Sequence, residues 1–398
     1  MFNLKLLGGV LLIVGTSIGG GMLALPVATA SAGLTISIGS MVICWLIMTA
    51  GAFLVLEVNL RLPAGSNMVS MAKSTLGMPG QVIAWIVYLF FLYSLLSAYI
   101  SGGSDVFNSL LHQVHIDVPS WLASVLFTTL FSAIVYSGIR IVDYVNRGLM
   151  FGKLGVYLLL VFMISPHIHL PVMHPGSLRA ATGSLMILMT SFGFASIVPS
   201  LRDYFHDDIP ALRRIIWLGS FIPLLCYILW NTVIMGVLQH NGHLDVLISL
   251  SHSEHAISGL NEALDAVIHN SWIAGFFAFF TSICMITAFL GVSLGLFDFL
   301  ADGLKLKKRG HQGKATLLLT FLPPLIIVLV NPGIYLRALS YAGICCVILL
   351  LLLPSMMAWK GRQTAGPEDV VMLPGGNVIL LGVMVISVCL LYLVKLDW

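Results

Sequence analysis

Hydrophobic positions along the chain fall in runs of roughly 20 residues, the length of helix that crosses the hydrocarbon core of a bilayer, with short polar breaks between them. Eleven runs can be counted, at about 5–30, 33–60, 81–107, 119–138, 148–165, 179–200, 214–238, 271–300, 315–330, 335–357 and 376–396. The pattern predicts an all-α membrane protein with eleven transmembrane helices. The longest break, Gln239 to Asn270, has Leu260, Ala263, Leu264, Val267 and Ile268 at helical spacing. It is expected to form a short helix folded over an outer vestibule.

Composition agrees. Hydrophobic residues make up 59% of the 398 and charged residues only 9%, and a soluble globule of that kind could not cover its own surface. Lys5 before an apolar run, with Ala28-Thr29-Ala30 beyond it, resembles a secretory signal. Gly8, Gly9 and Gly15 inside the run and ten further spans argue against that reading. Cys44, Cys226, Cys284, Cys345, Cys346 and Cys389 all fall inside apolar runs, so they read as small buried side chains rather than a disulfide or metal framework.

The distribution of charge sets an orientation, because lysine and arginine are retained on the cytoplasmic side of short loops. With the N-terminus inside, 16 of the 19 lysines and arginines are cytoplasmic, leaving only Arg179, Arg337 and Lys395 outside. Ten histidines lie on the outer side, among them His112, His115, His167, His169, His174, His240, His243, His252, His255 and His269. Their irregular spacing reads as solvated loop polarity rather than a metal site.

Two spans are interrupted. The first contains Gly15-Thr16-Ser17-Ile18-Gly19-Gly20-Gly21-Met22-Leu23-Ala24-Leu25-Pro26, and the sixth contains Thr190-Ser191-Phe192-Gly193-Phe194-Ala195-Ser196-Ile197-Val198-Pro199-Ser200. Unwound backbone at membrane depth survives only where protein or a water-filled cavity satisfies it. Five is odd, so a second set of five helices beginning at span six enters from the opposite side. This gives inverted five-helix repeats at 1–166 and 179–357, an extra helix at 376–396, and interrupted helices 1 and 6 at matching positions, all within one transmembrane domain over 1–398. Such pairs point to a transporter's central site, with half-helix N-termini facing an anionic group such as an amino-acid carboxylate. The bland alternative is that Gly15, Gly19 and Gly20 merely allow close helix packing. No Gly-Lys-Ser/Thr follows the glycines, and no paired catalytic carboxylates, nucleophile elbow or His/Cys ligand pattern occurs, so no enzyme, cofactor, metal or nucleic-acid partner is expected.

Gly15 to Pro26, Glu57-Val58-Asn59-Leu60-Arg61 and Phe192-Gly193-Phe194 followed by Pro199-Ser200-Leu201 together resemble the hydroxy and aromatic amino-acid permeases of bacteria, the tyrosine- and tryptophan-specific transport proteins. The similarity covers essentially the whole chain. It implies the LeuT-like fold of the amino acid, polyamine and organocation superfamily, with proton-driven uptake of an aromatic amino acid, tyrosine first, across the bacterial inner membrane. One departure stands out: members often carry histidine directly after Phe-Gly-Phe, where this chain has Ala195.

The resemblance places the substrate's carboxylate and ammonium against the first break, at Thr16, Ser17, Gly19, Gly20 and Gly21. Around the second break, Ser191, Phe192, Gly193, Phe194, Ala195 and Ser196 are expected to line the pocket, the phenylalanines either meeting an aromatic substrate or packing between helices. Tyr93 and Tyr99 are candidates for closing over the substrate, and Tyr99 is preferred because it adjoins Ser101-Gly102-Gly103. Lys153 stands where proton-coupled relatives of the superfamily carry a lysine in the place of a sodium ion, with Thr287 and Ser293 as candidate hydroxyls beside it. Alternatively it snorkels to the headgroups and only sets orientation. Glu57 and Arg61, four apart, favour an ion pair, Asp105 is expected to reach the vestibule, and Asp298 and Asp302 to belong to an inner gate. Competing readings are a sodium-coupled or exchange-type carrier of other neutral amino acids and, from a different class, a membrane receptor or channel.

Overall fold

Each of the eleven apolar runs lies on helix in a computed structural model of the chain. The structure describes residues 4–168, 176–240, 244–251, 253–308, 310–363, 371–373 and 376–396, among which no strand occurs; His169, His174, His243, His252 and Arg309 lie outside them. In chain order the helices are α1 (Leu4–Ser17), α2 (Gly20–Thr29), α3 (Leu34–Leu60), α4 (Met68–Gln113), α5 (Ser120–Tyr136), α6 (Ile139–Ile164), α7 (Leu178–Ser191), α8 (Val198–Phe205), α9 (Ile209–His240), α10 (Leu244–Leu250), α11 (Ser258–Ile268), α12 (Ser271–Gly303), α13 (Gly310–Val330), α14 (Tyr335–Val347), α15 (Leu353–Gln363) and α16 (Gly376–Leu396). Among the described residues, nine helical runs are long and apolar enough to cross a membrane, and α1 with α2, bent by 51° where they meet, makes a tenth. The apolar helix α5 is shorter, at 17 residues. The chain is a multi-pass membrane protein.

Large apolar side chains such as Phe90, Phe162, Trp272 and Val378 point outward, as suits helices whose surroundings are hydrocarbon. Helices in lipid gain little from burying such groups and associate where small residues let backbones approach. A Cβ on Gly343 of α14 would stand 2.1 Å from the Met186 carbonyl oxygen of α7, and one on Gly51 of α3 would stand 2.5 Å from the Leu350 carbonyl oxygen. Leu350 belongs to a π-helical turn, Ile348–Leu352, that joins α14 to α15. In α4, Gly77 at φ +76° kinks the chain and separates a short initial helix from the long span. That span packs on α12 and α14, α12 on α6, α14 on α7 and α1 on α9, so the two interrupted segments sit at the centre of the bundle.

The expected loop helix is α11, with Leu260, Ala263 and Leu264 buried against the bundle. Its start is tied down by Asp105 of α4, whose carboxylate accepts hydrogen bonds from the Ile257 and Ser258 amides at 3.1 and 3.0 Å and from the Ser258 hydroxyl at 2.5 Å. Asp105 therefore caps a helix while also lining a small cavity. Asp298 and Asp302 both pair with Lys308, at 2.7 and 3.4 Å, just beyond the end of α12.

Glu57 has a partner that its sequence neighbourhood conceals. Arg61 lies 3.4 Å away, but Arg362 of α15 grips both carboxylate oxygens at 2.6 and 2.8 Å, and the Met372 amide donates a further bond at 3.0 Å. The planar guanidinium matches the carboxylate fork, which a helical neighbour at the wrong angle cannot do. Arg362→Ala leaves a fully buried carboxylate short of its counter-charge and is expected to cost about 3–5 kcal/mol, with Arg61→Ala giving the smaller loss. Thermal unfolding of both variants in one detergent checks the order, and equal losses would contradict it.

Candidate functional site at the two helix breaks

The first span stops being helical at Ser17 and restarts at Gly20. Gly19, extended at φ −161° and ψ −149°, precedes α2 as its N-cap. A helix leaves its first N–H groups and last C=O groups without partners inside it, so this break exposes carbonyls from α1 and amides from α2 near the centre of the bundle. The second break follows the same logic. Helix α7 ends at Ser191, the chain passes through Phe192 and Gly193 into a 3₁₀ turn, Phe194–Ile197, and α8 begins at Val198.

The two breaks touch. A Cβ on Gly21 would stand 2.9 Å from the Ser191 hydroxyl oxygen and 3.4 Å from its Cα, and one on Gly20 would stand 2.5 Å from the ring of Tyr99. These two positions need glycine for closeness rather than for an unusual dihedral angle. Tyr99 of α4 thus lies against the start of α2, whereas Tyr93 points to α13 and donates to the Leu319 carbonyl at 2.8 Å. One turn along α4 from Tyr99, Gly102 is crowded by Met285, Ile257 and Tyr335. Beyond them a cavity of about 50 Å³ is lined by Ser101, Ser104, Asp105, Trp121, Glu254 and His255.

Side chains from three other helices reach the backbone at the breaks. The ammonium of Lys153, on α6 and buried, donates to the Ile18 carbonyl, so it does not snorkel to a headgroup. The Tyr227 hydroxyl, from α9, lies 2.6 Å from the Ser17 carbonyl oxygen and 2.9 Å from that of Ser191. Tyr335, on α14, donates to the Gly20 carbonyl at 2.5 Å. Sequence reading missed Tyr227 and Tyr335. The available signal was that a tyrosine hydroxyl inside a membrane span must find an acceptor.

The remaining predicted residues divide. Thr16 turns its hydroxyl back to the Ile13 carbonyl at 2.8 Å and Ser191 to that of Ile187 at 2.9 Å, while the buried Ser17 hydroxyl has no partner among the described residues. Phe192, Phe194 and Ala195 are buried, and the Phe192 ring packs on Tyr227 with centroids 5.0 Å apart. Gly193 has the Thr190 carbonyl and Cys346 against its free face, and the Ser196 hydroxyl sits 3.5 Å from the Gly193 carbonyl. Thr287 and Ser293 on α12 bond their own helix, to the Ile283 and Leu290 carbonyls at 2.8 and 3.3 Å.

Electrostatically, the C-terminal ends of α1 and α7 present partial negative charge and the N-terminus of α2 partial positive charge. A zwitterion with its ammonium toward the former and its carboxylate toward the Gly20 and Gly21 amides suits that arrangement. Gly20→Leu is therefore expected to abolish amino-acid binding while leaving membrane insertion intact, since its side chain has to displace Tyr99 and take the place expected for the carboxylate. Radioligand binding to the purified variant tests this, and native affinity in a folded protein sinks the placement.

The loop over this region should respond to pH. His255 Nδ1 is 3.0 Å from Asp105 Oδ1, and that hydrogen bond, opposed by partial burial and helped by the charges of Asp105, Glu254 and Glu262, raises the imidazole above its ordinary value of 6.5. A raised folded pKa stabilises fully below the ordinary value, and the contribution fades as pH rises through the folded one. Hydrogen exchange across Ser258–Ile268 should thus quicken, relative to intrinsic rates, as pH rises above the ordinary histidine value in the native protein, and the trend should flatten in His255→Ala. A trend of equal size in the variant assigns it elsewhere.

The tryptophan/tyrosine permease family matches residues 3–394 of this sequence. The chain is 33% identical over 389 residues to the tyrosine-specific transport system 1 of Haemophilus influenzae, covering 96% of this chain and 95% of that one. It is 32% identical to the tryptophan-specific transport protein of the same organism, over 96% and 94% of the two chains. It is also 30% identical to glutamine transporter 2 of Aliivibrio fischeri, over 92% of each. A match that runs the length of the chain and takes in both helix breaks makes this protein a member of the tryptophan/tyrosine permease family, which are permeases and not enzymes.

Proposed function

We propose that this protein is a proton-coupled symporter that imports an aromatic amino acid, tyrosine first, by alternating access. On this reading eleven spans form two inverted five-helix repeats, 1–166 and 179–357, with 376–396 as the extra helix. The basic ends of the helices face the cytoplasm, the N-terminus lies inside, and the membrane is the bacterial inner membrane. The names of the relatives support an aromatic amino acid, and the excess of lysine and arginine at one end supports the orientation.

The observation that carries the coupling is Lys153 on the Ile18 carbonyl. An ammonium supplies to an unwound carbonyl the positive charge that a metal cation supplies in other carriers. Its protonation state then decides whether α1 stays fastened to α6, so proton binding and the opening of the first break become one equilibrium. A second reading, a carrier of other neutral amino acids, sodium-coupled or exchange-type, is favoured by the glutamine transporter among the relatives and by Ala195 in a position where family members often carry histidine.

Uptake of labelled tyrosine, tryptophan and glutamine into proteoliposomes, in sodium-free buffer with and without an inward proton gradient, separates the readings. Tyrosine uptake is expected to rise with the gradient, and Lys153→Ala to reduce gradient-driven uptake by at least about tenfold, the effect of losing about 1.4 kcal/mol of coupling. Uptake that requires sodium, or keeps its proton dependence in Lys153→Ala, refutes the coupling role. Preference for glutamine moves the protein to the second reading.

A further inference from the structure

Tyr227 touches both breaks at once. Its hydroxyl carries one hydrogen but has two carbonyl oxygens within hydrogen-bond reach, those of Ser17 and Ser191, the last residues of α1 and α7. Two helices therefore aim their partial negative ends at one point. In the membrane interior, carbonyls converging from half-helix ends are the usual holders of a cation. Here a phenol oxygen fills the point, delivered by a ring that is fully buried and packed on Phe192. The hydroxyl of Ser17, at the same helix end, is buried without a partner among the described residues, so polar capacity at this spot exceeds what one O–H can meet.

We propose that Tyr227 is a positioning residue whose hydroxyl occupies, between the ends of α1 and α7, the place that a cation would otherwise take. In doing so it holds the two halves of the cradle in the register that substrate binding needs. The second part rests on the transporter reading; the first does not. Both breaks move relative to α9 if the hydroxyl is lost, and the vacated position keeps two carbonyl oxygens with nothing to bind. A small monovalent cation suits that position, since sodium takes oxygen ligands without requiring them to carry charge.

The test compares native protein with Tyr227→Phe and with Tyr227→4-aminophenylalanine, whose two N–H groups can serve both carbonyls. In sodium-free buffer, KM for the transported amino acid is expected to rise about tenfold or more in Tyr227→Phe, with the maximal rate little changed, as losing a hydrogen bond and stranding buried acceptors implies. The 4-amino variant is expected to return KM to the native range. A native KM in Tyr227→Phe overturns the proposal, as does an equal defect in both variants, which would assign the effect to ring packing. A second arm needs no substrate. Sodium in place of choline is expected to raise the melting temperature of Tyr227→Phe and leave that of the native protein unchanged; a variant indifferent to sodium overturns the cation-place assignment. Should Tyr227→Phe unfold in choline, recovery of folded protein in sodium supports the assignment and failure to recover overturns it. If the native protein carries no aromatic or neutral amino acid, the transporter reading fails while the melting comparison still decides the role of Tyr227.

Discussion

A peptide group released from a helix inside a membrane has no water to turn to, and leaving it unpaired costs several kcal/mol. The centre of this protein is arranged around that cost. Gly19 and the Phe192–Ile197 segment break two spans, and the carbonyls so freed are met by side chains delivered from α6 and α9, while Tyr335 of α14 reaches the first carbonyl of the restarted helix. The long polar side chains at the core of an otherwise apolar bundle follow from it, since Lys153, Tyr227 and Tyr335 are the reach that a helix axis some 8–10 Å away needs to touch another helix's backbone. The glycines follow as well. Only with Gly20 and Gly21 bare can Tyr99 and Ser191 lie directly on the restarted helix.

The ties at the centre differ in kind from those at the basic end of the bundle. Each central tie is one hydrogen bond or one shared proton, worth about 0.5–1.5 kcal/mol, or somewhat more where a charge takes part. At the other end Arg202 of α8 serves the carbonyls of Asn59 and Leu62 as well as Asp207, and Arg362 clamps Glu57 through both oxygens. Multiple charged bonds of that kind cost several kcal/mol to break. A molecule built this way rearranges where single bonds hold and keeps its register where networks hold. The alternating access proposed above asks for that contrast between a weakly fastened middle and a firmly fastened basic end.

Periodicity of apolar positions made the helices legible, because lipid leaves a simple requirement of length and composition, and every apolar run found a helix. Glycine and proline punctuation made both breaks legible for the same reason. What remained hidden was long-range. The pattern Glu57-x-x-x-Arg61 suggested a local pair, which forms at 3.4 Å, but the firmer partner is Arg362, some three hundred residues on, and no local rule encodes that meeting. Asp105 after two glycines looked like a vestibule group, but its acceptors are used to start α11. Lys153 was visible as a charge inside a span, whereas its partner Ile18 was not, since a backbone carbonyl leaves no trace in composition. Tyr227 and Tyr335 were hidden among eleven tyrosines, distinguishable only by asking where each hydroxyl finds an acceptor.

Selectivity among amino acids separates from binding of their common part. The ammonium and carboxylate are the same in tyrosine, tryptophan and glutamine, and the proposed cradle of helix ends recognises them by backbone, so that side-chain identity matters little there. Relatives named for all three substrates align with 92% or more of this chain, as expected if the proposed cradle is shared and only the groups around the side chain differ. In this structure Phe192 is committed to Tyr227 and lies fully buried, so it serves the cradle. On the proposed reading, discrimination falls to other side chains near the breaks, with Tyr99 and Phe194 as the aromatic candidates and Ala195 in the place where family members often carry histidine. An aromatic substrate gains area there and a polar one loses a hydrogen bond, a difference that a single side chain is large enough to set.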